Sequence, residues 1–244
     1  MHDNGQADHC DPISVFEDVV PRSLLECMNA TIDVARRQWW PRDGRRASMT
    51  ARTFAGLLRG SDSFNAVEAQ ACSVARRWAA ATFGREFAGE PLYILRCADR
   101  RTPAQSYLRH FDSHILTLLI PLQLAEAGER SGDLIVYRLQ RRPVSVIANV
   151  PTKARLFIEH GLPLLTRRAL VERDRSSGLC VRIACTPGNV YVFNGFLTMH
   201  TNLDVESGAR RSLIIHYYDP GLTAGLRLIT QTVRAFRDRL ADLS

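Results

Sequence analysis

His110 and Asp112 stand one residue apart, His200 follows far downstream, and Arg210-Arg211 come shortly after it. Two imidazoles and one carboxylate are the donor set that holds a non-haem ferrous ion on one face and leaves its other positions open to substrate and O₂. An arginine beyond them can grip the far carboxylate of a keto acid through two parallel hydrogen bonds. On an extended strand, residues two apart share a side, so His110 and Asp112 enter one interior together while Phe111 points away. The third ligand has to arrive from elsewhere in the sheet, because a facial triad needs three directions. His200 lies just after the apolar run Asn189–Asn194, where an end-of-strand ligand belongs. The same alternation puts Arg210, Ser212, Ile214 and His216 on one side of a strand and Arg211, Leu213, Ile215 and Tyr217 on the other.

Other polar residues cluster around these positions in sequence. His216 follows on the Arg210 side, either lining a substrate pocket or serving as a buried, hydrogen-bonded histidine. His114 shares the parity of His110 and Asp112, but a fourth ligand would close the positions that oxygen chemistry needs, so a supporting role is expected of it. Tyr107, Gln105 and Thr117 are within reach of a bound keto acid, and Asn194 of the metal, each with packing or loop chemistry as the alternative.

These residues need a scaffold. From Pro91 the chain breaks into short strand-like runs: Leu92–Leu95, Tyr107–Asp112, His114–Leu122, Asp133–Tyr137, Val144–Ile147, Val181–Ala184, Asn189–Asn194 and Arg211–Tyr218. Glycines and prolines separate them, a spacing that fits a β-barrel or double-sheet jelly roll, with Gly132 and Gly188 as turn residues. Residues 152–173 read as a helical or mixed insertion, a candidate lid within 150–175. Upstream, Val15–Trp40 carries helix-spaced Val19, Leu24, Leu25, Met28, Ile32 and Ala35, with Pro21 starting the main run and Trp39-Trp40-Pro41 ending it. Arg42–Ser63 reads as loop with a short helix. Phe64–Phe83 is the clearest helix, with a stripe of Val67, Ala71, Val74, Trp78 and Ala81 and a C-cap at Gly84. Leu222–Leu243 is spaced for an amphipathic helix, and packing on the chain's own sheet is favoured for it over a membrane surface. The expected organisation is a single domain over 1–244, mainly β with α: helical support in 1–90, a β core in 91–220 and a C-terminal helix in 221–244.

Composition excludes several classes. At 244 residues, 45% hydrophobic and 23% charged, the chain can bury a full core and has no apolar run long enough to span a bilayer. Its start lacks the basic and apolar regions of a signal peptide, so cytoplasm is the default expectation. Six cysteines, Cys10, Cys27, Cys72, Cys97, Cys180 and Cys185, form no zinc-ribbon spacing and are expected to be free thiols. The net charge of +7 is carried almost wholly by arginine, Lys153 being the only lysine. Codon bias explains that excess as well as an acidic or carrier-linked small-molecule substrate does. The arginines are scattered rather than blocked, which argues against nucleic acid.

The segments YLRHFDSHILTLLIPL, SGDLIVY, PGNVYVFNGFLTMH and SGARRSLIIHYYD together resemble the 2-oxoglutarate/Fe(II)-dependent dioxygenase superfamily, in its prolyl-hydroxylase and phytanoyl-hydroxylase style. The likeness covers roughly residues 92–220. It implies a double-stranded β-helix (jelly-roll, cupin-like) core flanked by N-terminal and C-terminal helices. It implies Fe(II) on His110, Asp112 and His200, and 2-oxoglutarate held by an arginine on the last strand. The family pattern of glycine, any residue, arginine, any residue, serine falls on Gly208, Arg210 and Ser212, favouring Arg210 over Arg211 with Ser212 as a second donor. The implied reaction consumes O₂ and 2-oxoglutarate, releases succinate and CO₂, and hydroxylates a substrate C–H bond, with ascorbate as an optional reductant. Asp112 argues against the halogenating branch, where a small residue replaces the carboxylate. His216 stands where nucleic-acid repair members carry a second arginine, so a small-molecule substrate is expected; protein prolyl hydroxylation and a cupin-like metalloenzyme without 2-oxoglutarate are the alternatives.

Overall fold

The computed structural model describes residues 12–38, 44–84, 87, 89–100, 102, 106–125, 130–141, 152, 155–156 and 158–220. Its elements run β1 (Ser14–Phe16), α1 (Arg22–Gln38), α2 (Gly44–Leu58), α3 (Asp62–Phe83), β2 (Leu92–Asp99), β3 (Leu116–Gln123), β4 (Leu134–Tyr137), α4 (Leu164–Ser176), β5 (Cys180–Ile183), β6 (Val190–Phe193), β7 (His200–Asn202) and β8 (Ala209–Tyr217). All strand pairs are antiparallel, in a five-stranded sheet ordered β1-β6-β3-β8-β2 and a three-stranded sheet ordered β5-β4-β7.

Alternation along the strands sorts the apolar residues into three layers. One side of the larger sheet sends Leu118, Ile120, Leu213 and Ile215 against Met28 and Ile32 of α1, Phe54 and Leu58 of α2 and Phe64 of α3. Each large side chain removed from water there contributes on the order of 1.5–3 kcal/mol. The other side sends Leu119, Tyr191, Phe193 and Ile214 against Leu134 and Val136 of the smaller sheet. The far side of the smaller sheet carries Ile135, Tyr137, Cys180 and Leu203, covered by Val171 and Leu164 of α4. Polar anchors fix the helices: the Arg59 guanidinium donates to Glu68 and to the Tyr93 and Tyr217 hydroxyls, joining the α2–α3 turn to β2 and β8.

Several local expectations are corrected. Val15 belongs to β1, which pairs with β6, and the first helix starts only at Arg22, just after Pro21. Arg42–Ser63 is not mostly loop: Ala51, Phe54, Ala55 and Leu58 are buried at helical spacing, a stripe masked in the sequence by arginine, glycine and serine on the exposed side. In α3 the buried stripe runs through Phe64, Val67, Ala71, Cys72, Ala75 and Ala79, while Val74 and Ala81 are exposed; Gly84 caps the helix in the left-handed region at φ 65°. β2 continues past Leu95 to Asp99. The Tyr107–Asp112 run is not a regular strand, since Tyr107 has φ 58° and a single bridge joins His110 to His200. Within the lid region, α4 forms over Leu164–Ser176. Val144–Ile147 and Leu222–Leu243 lie outside the described residues. Cys27, Cys72, Cys97, Cys180 and Cys185 are free. Among the described residues no helix is long and apolar enough to cross a membrane.

Candidate active site

β7 opens with His200, and its backbone exchanges hydrogen bonds with that of His110, 3.0 Å each way. This one bridge brings the two imidazoles together, ring centroids 4.3 Å apart. Asp112 follows two residues later, its N–H donating to the Gly195 carbonyl at 2.8 Å. Asp112 Oδ1 then lies 3.7 Å from His110 Nε2 and 3.6 Å from His200 Nε2. These three residues are the one group among the described residues whose donor atoms could hold a metal ion.

Both histidines are set for ligation by their backbones. His110 Nδ1 is 2.8 Å from the Leu108 carbonyl and His200 Nδ1 is 3.0 Å from the Thr198 carbonyl. A carbonyl can only accept, so each Nδ1 carries a proton and each Nε2 is turned toward Asp112 Oδ1. Burial, reinforced by the field of His200 and opposed by Asp112, pulls the His110 imidazole down to about 3, holding it neutral. Burial alone would raise the Asp112 carboxyl, but His216, His200, His110 and the Thr117 hydrogen bond outweigh it and keep the group below the usual carboxylate range. A neutral His110 imidazole and a second ring oriented alike, beside an ionised carboxylate, suit a divalent metal.

The two arginines of β8 part company. Arg211 turns to the helical side, where its Nη1 donates to the Asn29 carbonyl at 3.0 Å and its Nη2 pairs with Asp33. Arg210 turns between the sheets and is only 4% exposed, yet among the described residues no carboxylate pairs with it. The Asn202 carboxamide, oriented with its oxygen toward Arg210, accepts from Nη1 at 2.8 Å and Nη2 at 3.3 Å. Among the described residues, Arg210 Nε and the nearby Ser212 Oγ have no hydrogen-bond partner. Burial lowers the guanidinium's pKa, and Cys185 and Asp133 only partly offset that. Gly132, at φ 78°, makes this possible: a Cβ there would sit 2.7 Å from Arg210 Cδ.

The remaining expected residues are placed as follows. His216 is buried with Nδ1 3.0 Å from Thr117 Oγ1, and Thr117 Oγ1 donates to Asp112 Oδ2 at 2.5 Å, so both stand behind the carboxylate. His114 stacks on His216 at 5.3 Å between centroids. Tyr107 does not join the Arg210 group: it packs with Ile135 and Tyr137 on the far side of the smaller sheet, its hydroxyl donating to Asp204 at 2.8 Å. Asn194 builds a turn, its Oδ1 accepting from the Leu197 N–H, and so places Gly195. Gln105 lies outside the described residues. Sequence reasoning missed Gly195, Asn202 and Arg96. Arg96 lies opposite Ser212 in the β2–β8 register, on the Arg210 side; only knowing that β2 passes Leu95 would have shown it. Gly195, in FNGFLTMH, carries an Asn-Gly turn signal, but nothing in the sequence sets it against Asp112.

Glu159 and α4 are tied to the segment that carries His110 and Asp112. Arg109 is buried, with Nη1 2.6 Å from Asp174 Oδ2 in α4 and Nη2 2.6 Å from Glu159 Oε2, and the Tyr137 hydroxyl donates to the same Asp174 oxygen at 2.8 Å. Beyond Phe111 and Met199 a cavity of about 210 Å³ is bounded by Thr152, Arg155, Leu156 and Glu159. Arg141 lies across the Phe111 ring at 4.1 Å and the Phe196 ring at 4.4 Å, a cation–π pair at the edge of the site.

No protein-family model and no curated protein matches the sequence. Solved structures do resemble the fold. A Pseudomonas putida prolyl-4-hydroxylase is 12% identical with TM-score 0.44, the match covering 85% of this chain and 88% of that one. AviO1 from Streptomyces viridochromogenes Tue57 is 16% identical with TM-score 0.45, covering 86% and 90%. SnoK, a non-heme alpha ketoglutarate dependent carbocyclase from nogalamycin biosynthesis, is 15% identical with TM-score 0.46, covering 85% and 79%. Similarity this distant carries no weight for the chemistry, which rests on the side chains themselves.

Proposed function

We propose that this protein is an Fe(II)- and 2-oxoglutarate-dependent oxygenase that hydroxylates a C–H bond of a small molecule, an acidic or carrier-linked one fitting the arginine excess. The observation that carries the reading is a buried cation, Arg210, with no carboxylate paired to it among the described residues, on the same inner side as a His110–Asp112–His200 donor set whose rings are already oriented. Burying an unpaired charge is costly, so an anion from outside is the natural partner. A keto acid supplies one carboxylate for Arg210 and a second with its keto oxygen for the metal.

The donor set fits the metal on chemistry as well as position. His110 and His200 offer Nε2, Asp112 offers Oδ1, and three protein donors leave positions open. The bound iron would supply O₂ activation coupled to decarboxylation of the keto acid. The chain's own contribution is binding and orientation: Arg210 and Ser212 Oγ hold the distal carboxylate, Asn202 aims the guanidinium, and Gly132 leaves room for its stem. A metalloenzyme that used no keto acid would have no use for Arg210 in this position.

A double-stranded β-helix is the matching scaffold. β2 lies in the larger sheet, the His110 bridge in the smaller, β3 in the larger, β4 and β5 in the smaller, β6 in the larger, β7 in the smaller and β8 in the larger. A chain that crosses between two sheets in this way winds into such a core. The test is anaerobic Fe(II) titration with and without 2-oxoglutarate, followed by succinate release in air with ascorbate as reductant. A weak visible charge-transfer band is expected that disappears in Asp112→Ala and Arg210→Met. Iron binding without the band at saturating 2-oxoglutarate would point to a metalloenzyme of another kind, and no iron binding would end the proposal.

A further inference from the structure

Thr117 faces inward from β3, level with Phe193 of β6 and His216 of β8. Its hydroxyl has one proton to give. Asp112 is ionised and can only accept, so that proton goes to Oδ2 across 2.5 Å. The Thr117 oxygen must then accept from His216 Nδ1 at 3.0 Å, which fixes the protonated nitrogen of that ring as well. His216 is itself steadied by His114, stacked at 5.3 Å and 22°. From the other side Gly195 closes in: a Cβ there would fall 2.1 Å from Oδ2. The two oxygens of Asp112 are therefore unlike. Oδ2 is enclosed by Thr117 and Gly195, while Oδ1 alone faces His110 and His200.

We infer that Thr117, backed by His216, is a positioning residue that keeps Asp112 a one-oxygen ligand and so reserves the metal's remaining positions for the keto acid and O₂. The inference rests on the iron and keto-acid reading above. A carboxylate with both oxygens available binds metals through one or two of them. Two-oxygen binding would take a fourth position and leave two. A chelating keto acid needs both, and O₂ would be shut out, or the keto acid would bind through one atom only. The hydrogen-bonded series His216–Thr117–Asp112 prevents that without touching the metal, each bond polarising the next.

Thr117→Val removes the hydroxyl with little change of shape. Co(II) serves as the spectroscopic probe, with 2-oxoglutarate titrated into the Co(II) protein. In Thr117→Val, Co(II) affinity should fall by no more than the roughly 10- to 100-fold usual for losing a group that orients a metal ligand, because the freed second oxygen can bind. At saturating Co(II), 2-oxoglutarate affinity should fall at least about tenfold. The Co(II) absorption should change before any keto acid is added, and Thr117→Ser should restore both readouts. A Thr117→Val protein with wild-type spectrum and wild-type 2-oxoglutarate affinity overturns the inference, as does a serine variant that folds but behaves like valine. If valine does not fold, His216→Leu keeps the hydroxyl but frees it to rotate. It should show the same spectral change with about tenfold weaker 2-oxoglutarate binding, and a wild-type spectrum there overturns the inference equally. Failure of the wild type to bind Co(II) or 2-oxoglutarate would instead overturn the iron and keto-acid reading.

Discussion

Gly195→Ala should dismantle the metal site while leaving the fold standing. The added methyl would lie 2.1 Å from Asp112 Oδ2, 2.4 Å from Thr117 Oγ1 and 2.8 Å from Asp112 Cβ. Ordinary contact begins near 3.4 Å, so the carboxylate has to retreat by about 1.3 Å or the 194–198 turn has to move with it. A metal site tolerates ligand shifts of about 0.2 Å. The loss in affinity should therefore exceed the 10- to 100-fold typical of disturbing a group behind a ligand, a penalty above about 1.4–2.7 kcal/mol in binding. Overpacking of this kind costs about 1–3 kcal/mol of stability. For a chain of this size that is a fall of roughly 2–4 °C in Tm per kcal/mol. The assay is calorimetric titration with Co(II) beside thermal melting of the metal-free protein. Gly56→Ala is the control: a Cβ on that helical glycine meets nothing within 4 Å, so it should gain up to about 1 kcal/mol and bind metal normally. A Gly195→Ala protein that binds Co(II) within threefold of the wild type would refute the steric argument.

The two arginines of β8 should give opposite phenotypes. Arg211→Met strands the Asn29 carbonyl and frees Asp33, costing about 1–3 kcal/mol in urea unfolding with unchanged 2-oxoglutarate binding. Arg210→Met should weaken 2-oxoglutarate binding at least about 100-fold while the metal-free protein is equally or more stable, because a buried cation without a carboxylate is removed. Asp174→Asn breaks the charge pairing of Arg109 with α4; Glu159 still pairs with the guanidinium, so a loss of about 1–3 kcal/mol is expected, the cost of weakening a hydrogen bond to a charged group, with faster proteolysis of the α4 region. The metal-free protein should also be acid-sensitive in a defined direction. His110 titrates near 3 when folded and near 6.5 when unfolded, so between those values the unfolded chain holds the extra proton and stability rises with pH. The contribution is full above 6.5 and is lost as pH falls. It stays below the single-proton limit of about 1.4 kcal/mol per unit because the ring is partly exposed. Urea midpoints at pH 5 and 7 should converge in His110→Gln; an unchanged difference would place the pH dependence elsewhere.

Much of the donor set was legible because its signal is chemical: a histidine and an aspartate one residue apart, a distant histidine, and an arginine two residues before a serine on a strand. Strand parity alone was enough to send Arg210 and Arg211 to opposite sides. His110 and Asp112 do come together, though not by strand alternation. They share a direction because of the bridge to His200 and the Asp112–Gly195 hydrogen bond, not because they lie on a regular strand. What stayed hidden depends on contacts between distant segments. Nothing local to Gly195 says that a carboxylate will fill the space of its missing side chain. The helix α2 was obscured by Arg46, Ser48, Arg52, Thr53 and Gly56 on its exposed side, which interrupt the spacing of its four buried residues. By sequence Tyr107 is able to reach a bound keto acid, with packing as the alternative; its left-handed backbone and its contacts with Ile135 and Tyr137 make it a packing residue on the far side of the smaller sheet.

The single bridge between His110 and His200 bears on how the protein fares when metal is scarce. Besides that bridge, the outer side of β7 is joined to the 107–110 segment by the Tyr107 N–H donating to the Asn202 carbonyl at 2.8 Å, a short irregular pairing rather than a regular ladder. A metal bound to both histidines and Asp112 would act as a clasp across it. Ligand binding to the folded state alone adds about 2.7 kcal/mol at a hundred times the dissociation constant. A starved cell would then hold a population whose sheet border opens more often, where another chain's strand can pair. Iron supply would thereby set the lifetime of this protein as well as its turnover.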